Sequence, residues 1–134
     1  MNLVLDTNAV SETRKPRPNP GFVTWLSAQD AAHLFITNVT LAEVWNGFHS
    51  LPLNHPDYGN IKVFASELTR RFRVLNFDMR AAAIWGEMTA HARGPSPLRD
   101  SFIAAIARSR GYRIVTRDAA PFERMVCKVV DPWR

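Results

Sequence analysis

The pattern that decides the fold stands near the start of the chain, where residues 2–8 read Asn2-Leu3-Val4-Leu5-Asp6-Thr7-Asn8. Three apolar residues in a row, without polar alternation, predict a short strand that is buried on both faces. Such strands occur almost only in parallel sheets that helices cover on both sides. Asp6 ends the strand, so we expect this acid at the carboxyl edge of the sheet, where α/β proteins bind their ligands.

The rest of the chain alternates further apolar segments with helical patterns. Short strands are predicted at 34–36, 74–75, 114–115 and 126–130. Helices are predicted for a short segment carrying Phe22, Trp25 and Leu26, from Thr40 onward, at 57–72, from the cap Asp78 to about His91, and, after a Gly94-Pro95 turn, from the N-cap Ser96 to about Arg110, where Gly111 ends the helix. Strands separated by helices predict a parallel α/β sheet in a single domain, residues 1–134.

Length and composition exclude several classes of protein. The chain has 134 residues, 46% of them hydrophobic and 22% charged, which suits one domain with its own core. Its one cysteine, Cys127, lies in an apolar run and is predicted to be a small buried hydrophobe. No apolar stretch approaches the roughly 18 residues of a membrane span, and no basic leader precedes the first strand. We therefore expect a cytoplasmic protein without a membrane partner, and not a disordered or disulfide-framework chain.

The charge balance predicts an anionic partner. The chain has 17 Lys and Arg against 12 Asp and Glu, a net charge of +5, and 14 of the basic residues are arginines. They form separate clusters, at 14–17, 70–73 and 108–113, rather than one tail. A nucleic acid is one candidate partner, although a solvated basic surface explains the same charges equally well.

Four acids from distant parts of the chain are predicted to meet at one edge of the sheet. Asp6 and Asp118 directly follow apolar strands, and Glu43 and Asp100 lie early in predicted helices. Four gathered carboxylates call for a divalent cation, and oxygen ligands without a histidine or thiolate cluster favour Mg²⁺ or Mn²⁺ over zinc. The other 8 acids and the 17 basic residues would surround this pocket with positive charge. An acidic metal pocket in a basic surface is typical of enzymes that cleave phosphodiesters.

Each acid also has a purely structural explanation. Thr40-x-x-Glu43 is a capping-box pattern, in which the glutamate binds back to the helix cap. Asp100 in a first helical turn is favoured by the helix dipole, and the two strand-end acids are common turn formers. Asp100 fits this explanation least, because the apolar run at 102–107 predicts a helix that is buried nearly all round, where an unpaired carboxylate is costly.

Five segments then follow one another in a recognisable order. They are Leu5-Asp6-Thr7-Asn8-Ala9-Val10-Ser11-Glu12, Thr40-Leu41-Ala42-Glu43, Arg99-Asp100-Ser101-Phe102-Ile103-Ala104-Ala105, Val115-Thr116-Arg117-Asp118 and Asp131-Pro132-Trp133. In this order and spacing they resemble the PIN-domain nucleases of the VapC toxin kind. The resemblance implies a three-layer α/β/α fold with a central, mostly parallel five-stranded sheet. It also implies ribonuclease activity that depends on Mg²⁺ or Mn²⁺, homodimerisation, and inhibition by a cognate antitoxin.

The resemblance assigns roles to individual residues. The family's acidic catalytic and metal-binding positions are occupied by Asp6, Glu43, Asp100 and Asp118. Thr116 occupies the position where the family has a hydroxyl beside the metals, and Asn8 occupies the position of the asparagine that follows the family's first acid. The chain departs from the family just before Phe122, where Pro121 replaces an acid that members often carry. The fourth acidic role therefore rests on Asp118 alone, which leaves open whether one or two metal ions bind.

Metal-assisted hydrolysis of RNA is the activity that we expect. Asp6, Glu43 and Asp100 would hold one cation that activates water, while Asp118 with Asp6 would help to hold a second near the departing oxygen. Water would attack in line and leave a 5′-phosphate and a 3′-hydroxyl. None of the four histidines has the spacing of a metal ligand pair.

Two surfaces are predicted for partners. Arg14 and Arg17, on the loop after the first acid, are the nearest candidates to bind RNA phosphates. An amphipathic segment of the antitoxin would lie on the helical flank with Trp25, Trp45 or Phe48 as anchors, and a basic side chain from it would reach the carboxylates.

Two other functions stay open at this point. A metal-dependent phosphatase of the aspartyl-phosphate type has a second aspartate two residues after the first, where this chain has Asn8. A catalytically inactive nucleic-acid- or partner-binding PIN module would not need a complete set of acids. Titration of the purified protein with metal distinguishes a binding module from a nuclease.

Overall fold

The apolar triplet at the start of the chain forms the central strand of a five-stranded sheet in a computed structural model, which describes residues 1–92, 94 and 96–134. The strands are β1 (Leu3–Leu5), β2 (Leu34–Thr37), β3 (Arg73–Leu75), β4 (Arg113–Val115) and β5 (Val129–Val130). They lie in the order β3-β2-β1-β4-β5, and every neighbouring pair is parallel. Because β1 lies between β2 and β4, the segments that follow these three strands emerge at the same edge of the sheet.

Helices connect the strands. They are α1 (Thr7–Glu12), α2 (Pro20–Ser27), α3 (Asn38–His49), α4 (Tyr58–Arg71), α5 (Met79–Ala90), α6 (Leu98–Arg110) and α7 (Ala119–Arg124), with a short 3₁₀ turn at Ala31–His33. In the part of the chain that the structure describes, no helix combines the length and the apolar character needed to cross a membrane.

The side chains of β1 alternate between two separate cores. Leu3 and Leu5 pack with residues of α1 to α4, whereas Val4 packs with residues of α5, α6 and α7. The sheet therefore has a helical layer on each face, which confirms the α/β/α architecture. Helix α6 is the most deeply placed helix, since the five residues 103–107 are all fully buried, as its apolar run predicts.

Two helix starts differ from the sequence prediction. Helix α3 is capped by Thr37, whose hydroxyl accepts a hydrogen bond from the Thr40 amide at 3.1 Å, so Thr40 lies inside the helix and the predicted capping box is wrong. Threonines three residues apart both suit a cap, and β2 ends where Thr37 is already placed. Helix α6 is preceded by Pro97 rather than by a capping Ser96, whose buried hydroxyl has no hydrogen-bond partner among the described residues.

The last strand is shorter than its apolar sequence predicts. Val126 adopts a left-handed conformation with φ of 61° and is 75% exposed, so it belongs to the turn after α7 and β5 begins only at Val129. Cys127 packs against the α6–α7 core, and burial raises the pKa of its thiol to about 12, consistent with the predicted structural role. Gly111 ends α6 with φ of 71°, as predicted, whereas Pro95 of the predicted Gly94-Pro95 turn lies outside the described residues.

Candidate active site

Asp6 stands at the point where β1 becomes α1. Its backbone amide donates to the Val115 carbonyl at 3.1 Å, which continues the pairing of β1 with β4. Its carboxylate caps α1 by accepting a hydrogen bond from the Ala9 amide at 2.8 Å, and it also interacts with the Thr116 hydroxyl. Only 3% of the residue is exposed. The carboxylate is therefore buried and fixed at the carboxyl edge of the sheet.

Glu43 reaches the same edge from the second turn of α3. The Thr7 hydroxyl donates to its Oε1 at 2.8 Å and lies 2.9 Å from the Thr40 hydroxyl. Its Oε2 lies 3.6 Å from Nη1 of Arg99, and its side chain is 20% exposed. Glu43 thus contacts the start of α1 and the start of α6 and does not face open solvent, as a surface position would.

The remaining two acids come from the other side of the sheet. Asp100 lies in the first turn of α6 and is half-buried, whereas Asp118 is exposed at the start of α7. The Asp118 amide donates to the Thr116 hydroxyl at 3.0 Å. The same hydroxyl interacts with the carboxylate of Asp6, so Thr116 links the first acid to the last.

The charges of the four acids act on one another. Burial, opposed by the Thr116 and Ala9 hydrogen bonds and reinforced by the charges of Asp100 and Glu43, raises the pKa of Asp6 to about 6. The pKa of Asp100 is raised by burial and by the charges of Glu43 and Asp118. Each acid is therefore close enough to at least one other acid for their charges to interact. The structure brings together the four acids that the sequence singles out.

The donor set suits a hard divalent cation. Four carboxylates lie along this edge, and the guanidinium of Arg99, which pairs with Glu43, cannot balance four negative charges. In residues 1–92, 94 and 96–134, no three His, Cys, Asp or Glu side chains are close enough together to form a finished metal site. The fit to Mg²⁺ or Mn²⁺ rests on the chemistry of the donors, which are carboxylate oxygens without a histidine or thiolate among them.

Two clefts open beside Glu43 and share three residues, Glu43, Asn46 and Arg99. The larger, of about 570 Å³, is further lined by Asn38, Val39, Ala42, Phe77 and Phe102. The smaller, of about 230 Å³, is further lined by Thr7, Ser11, Arg14, Val44, Gly47, Ile61 and Phe64. Both clefts therefore open beside Glu43 and have Arg99 in their walls, and the smaller one has Arg14 as a second basic residue.

The other predicted residues occupy different positions relative to these clefts. Arg14 lines the smaller cleft, whereas Arg17 is exposed and lines neither of the two. Asn8 is exposed on α1, beside the buried Asp6. A partner's anchor has to be partly exposed: Phe48 is 4% exposed and packs into the core, so it does not meet this condition, whereas Trp25 and Trp45 are half-buried and do. Periodicity alone could not separate Phe48 from its neighbour Trp45.

Two residues that complete the site were not singled out from the sequence. Thr7 holds Glu43 and Arg99 pairs with it, and each adjoins a predicted acid in the chain. Their position next to Asp6 and Asp100 was a signal, but both contacts join segments that are far apart in sequence, and helical spacing does not reveal such contacts.

Comparison with known proteins is decisive at this point, because the family model described as PIN domain matches residues 3–126. The chain belongs to the PIN-domain family. Over 136 residues this PIN-domain protein is 33% identical to the plasmid stability protein StbB of Pseudomonas syringae pv. tomato, with 98% of each chain covered. It is 30% identical over 140 residues to the VapC ribonuclease Y4jK of Sinorhizobium fredii, covering 98% of this chain and 97% of the relative. These identities place it among the VapC-family toxins.

A solved structure agrees with this assignment. The crystal structure of FitAcB from Neisseria gonorrhoeae superposes with a TM-score of 0.87 at 29% identity, covering 98% of this PIN-domain protein and 99% of that chain. The match confirms the predicted fold, and all strand pairs of the sheet are parallel here.

Proposed function

We propose that this PIN-domain protein is an endoribonuclease that depends on Mg²⁺ or Mn²⁺ and acts as the toxin of a toxin–antitoxin pair. The observation that carries the proposal is the buried Asp6 at the carboxyl edge of the sheet, whose charge interacts with those of Glu43 and Asp100, while Asp100 interacts in turn with Asp118. Burying Asp6 without a cationic partner costs free energy, and groups of this kind occur preferentially at functional sites. Relatives named as VapC ribonucleases support the reaction class.

The proposed ligands divide between two cation positions. Asp6, Glu43 and Asp100 would hold one cation, and Asp118 together with Asp6 would contribute to a second. A bound divalent cation would supply Lewis-acid chemistry, lowering the pKa of water and offsetting the charge that develops on the phosphodiester oxygens. The expected products of in-line attack by water are a 5′-phosphate and a 3′-hydroxyl.

The protein's own contacts fix these ligands before substrate binds. Thr116 and the Ala9 amide restrain the carboxylate of Asp6, and Thr7 restrains that of Glu43. With a pKa of about 6, Asp6 is mostly ionised at pH 7, so it is ready to bind a cation. Asn8, exposed on α1 next to Asp6, is proposed to support substrate binding.

RNA binding is proposed for the basic surface around the acids. Arg14 is the stronger of the two predicted contacts, because it lines a cleft that also contains Glu43. Arg17 would act farther out, on the same loop. Since phosphate contacts release counterions, RNA affinity should fall steeply as salt increases.

The proposed protein partners are a cognate antitoxin and a second copy of this chain. Two of the similar solved structures are FitAB bound to a DNA fragment and DNA-bound VapBC from Salmonella typhimurium. In both, the chain that is similar to this protein is part of a larger complex. An amphipathic antitoxin segment would use Trp25 or Trp45, which are half-buried, as anchors. The site of action proposed for the pair is the cytoplasm.

Cleavage of RNA by the purified protein tests the proposed activity. Asp6→Asn and Asp100→Asn should each reduce cleavage at least about a hundredfold, because losing a direct ligand should cost no less than losing an outer-shell partner. Asp30→Asn is the matched control, since Asp30 is exposed and caps only the 3₁₀ turn. Cleavage that persists with EDTA would contradict metal dependence, and absence of both Mn²⁺ binding and cleavage would favour the inactive binding module.

Growth of the host tests the toxin role separately. The wild-type chain expressed alone should arrest growth, the Asp6→Asn variant should not, and co-expression of the small protein encoded next to it should restore growth. Harmless accumulation of protein that is active on RNA would leave the nuclease proposal intact and contradict the toxin proposal.

A further inference from the structure

Among the residues that the structure describes, Arg99 is held in the candidate site by one weak ion pair. It is the second residue of α6, next to Asp100, and its side chain is 66% exposed. Its Nη1 lies 3.6 Å from Oε2 of Glu43, which is longer than a hydrogen bond. Glu43 is meanwhile held through its other oxygen by Thr7 at 2.8 Å. The position of Glu43 therefore does not depend on Arg99, and the guanidinium can leave without disturbing the carboxylate.

Arg99 also lies where the two clefts meet. It lines the larger cleft with Phe77 and Phe102 and the smaller cleft with Thr7 and Arg14. Glu43 lines both clefts as well, so an RNA strand that reaches Glu43 through either cleft comes next to this guanidinium. Its planar arrangement of donors matches a phosphate group, and a long exposed side chain has the reach to follow it.

We propose that Arg99 occupies two positions in turn: it pairs with Glu43 before a divalent cation binds, and it binds a phosphate of the RNA afterwards. This inference rests on the proposed metal-dependent nuclease function. A cation bound to Glu43 repels a guanidinium 3.6 Å from the same carboxylate, so the two compete for it. The displaced Arg99 remains at the mouth of both clefts, where the incoming negative charge is that of the RNA backbone.

Competition for Glu43 is tested by titrating Mn²⁺ into the protein without RNA, by calorimetry. Arg99→Gln should bind Mn²⁺ about two- to fivefold more tightly than wild type, the range expected for removing one exposed ion pair. In a Glu43→Gln background, the same change should give no such gain, because the shared partner is gone.

Two control variants separate competition from a general effect of charge. Arg14→Gln removes a positive charge from the smaller cleft without removing a partner of Glu43. It should change Mn²⁺ affinity less than Arg99→Gln does, and this smaller change measures the effect of losing a nearby positive charge. Arg70→Gln removes an exposed arginine that pairs with Glu67 at 3.3 Å, away from the clefts, and should leave Mn²⁺ affinity unchanged.

Binding of the phosphate is tested with a single-stranded RNA oligonucleotide in the Glu43→Gln background, where Arg99 has lost its charged partner. RNA affinity falls with salt, so the slope of log affinity against log salt is negative. Arg99→Gln should make this slope shallower by about 0.7, the value for one phosphate contact on a single strand. Arg134→Gln, which removes an exposed arginine outside the three basic clusters, should leave the slope unchanged in the same background.

The outcomes separate the two levels of the proposal. If no variant and no wild-type protein binds Mn²⁺, the proposed function is wrong, and the inference is wrong with it. If wild type binds Mn²⁺ but Arg99→Gln binds it equally well, only the inference is overturned. An unchanged salt slope for Arg99→Gln in the Glu43→Gln background likewise overturns the inference alone.

Discussion

Helix α1 has a buried carboxylate at each end, and the two have opposite electrostatic surroundings. Asp6 before its start is 3% exposed and Glu12 at its end is 4% exposed. Burial by itself acts to raise the pKa of each carboxyl. At Glu12 burial is outweighed by hydrogen bonds from Trp133, Lys15 and the Asn19 amide, at 3.0, 3.3 and 3.3 Å, and the pKa is lowered.

At Asp6 the balance is reversed. Hydrogen bonds from Thr116 and the Ala9 amide do not offset burial, and the charges of two neighbouring acids add to it, so the pKa rises to about 6. The two residues are equally shielded from solvent but differ in depth and in partners: Asp6 lies deep in the molecule among other acids, whereas Glu12 lies near the surface among hydrogen-bond donors, and their pKa values shift in opposite directions. Glu12, which accepts hydrogen bonds from three donors, stabilises the fold. Asp6, which is surrounded by other acids, destabilises it when ionised, as is expected of a binding site and not of a purely structural contact.

The largest effect on stability is expected for Asp6→Asn in metal-free protein. A folded-state pKa raised from 3.8 to about 6 means that the folded state binds more protons between those pH values, so wild-type stability falls as pH rises through that window. The variant, whose side chain can still accept from Ala9, should be more stable by about 2 to 3 kcal/mol at pH 7 and equal to wild type below pH 4. Urea unfolding with EDTA at several pH values measures this difference.

The control for that comparison is Asp30→Asn, since Asp30 accepts a backbone hydrogen bond from Ala32 at 2.9 Å but is exposed. We expect a much smaller change for it. A gain for Asp6→Asn that is the same at pH 4 and pH 7 would show that ionisation of the buried acid is not its cause.

At the other end of the helix, Glu12→Ala should destabilise the protein by about 1 to 3 kcal/mol, because it leaves the Trp133 indole N–H and the Asn19 amide without their acceptor. Cleavage per folded molecule should not change. Lys15→Ala, which removes only a side chain that is 54% exposed, should cost about 0.5 kcal/mol or less. Equal losses of stability for the two variants would mean that the ion pair between Glu12 and Lys15, and not the buried hydrogen bonds of Glu12, stabilises the end of α1.

The smallest effect is a pH dependence of metal affinity. Mn²⁺ binds ionised carboxylates, so protonation of Asp6, with its pKa of about 6, competes with the metal. Affinity should fall about tenfold between pH 7 and pH 5, and the raised pKa of Asp100 acts in the same direction. Calorimetry at both pH values measures the change. The Asp6→Asn variant should show a shallower dependence, and an equally steep one would assign the titration to another group.

Local sequence was sufficient to predict most of the fold and the placement of Asp6, Asp100 and Asp118. Leu3-Val4-Leu5 and Ile114-Val115 are apolar enough to specify buried strands, and an acid that ends such a strand is placed at the sheet edge by topology alone. Asp100 was recognisable because it begins an otherwise apolar helix. In each case one element and its immediate neighbours contain the information.

Predictions that depended on contacts between distant segments were weaker. Glu43 fitted a capping box, whereas its hydrogen bond to Thr7, 36 residues away, shows that it lies beside the start of α1. Val126 has a strand-forming side chain, yet the turn after α7 imposes a φ of 61° on it. Glu43 thus depends on a contact between distant elements, whereas Val126 is set by a local turn, in which its amide donates to the Glu123 carbonyl at 2.9 Å.

The central position of β1 sets the order in which the site is completed while the ribosome makes the chain. Residues 3–5 and their partner β2 are synthesised early, but β4, which pairs with the other edge of β1, follows only at Arg113–Val115. Throughout that interval a nascent chain contains Asp6 and Glu43 but lacks Asp118, and β1 has an unpaired edge. A polypeptide interrupted before β4 therefore cannot assemble the four acids, so translation itself delays the appearance of the site until the sheet can close around its first strand.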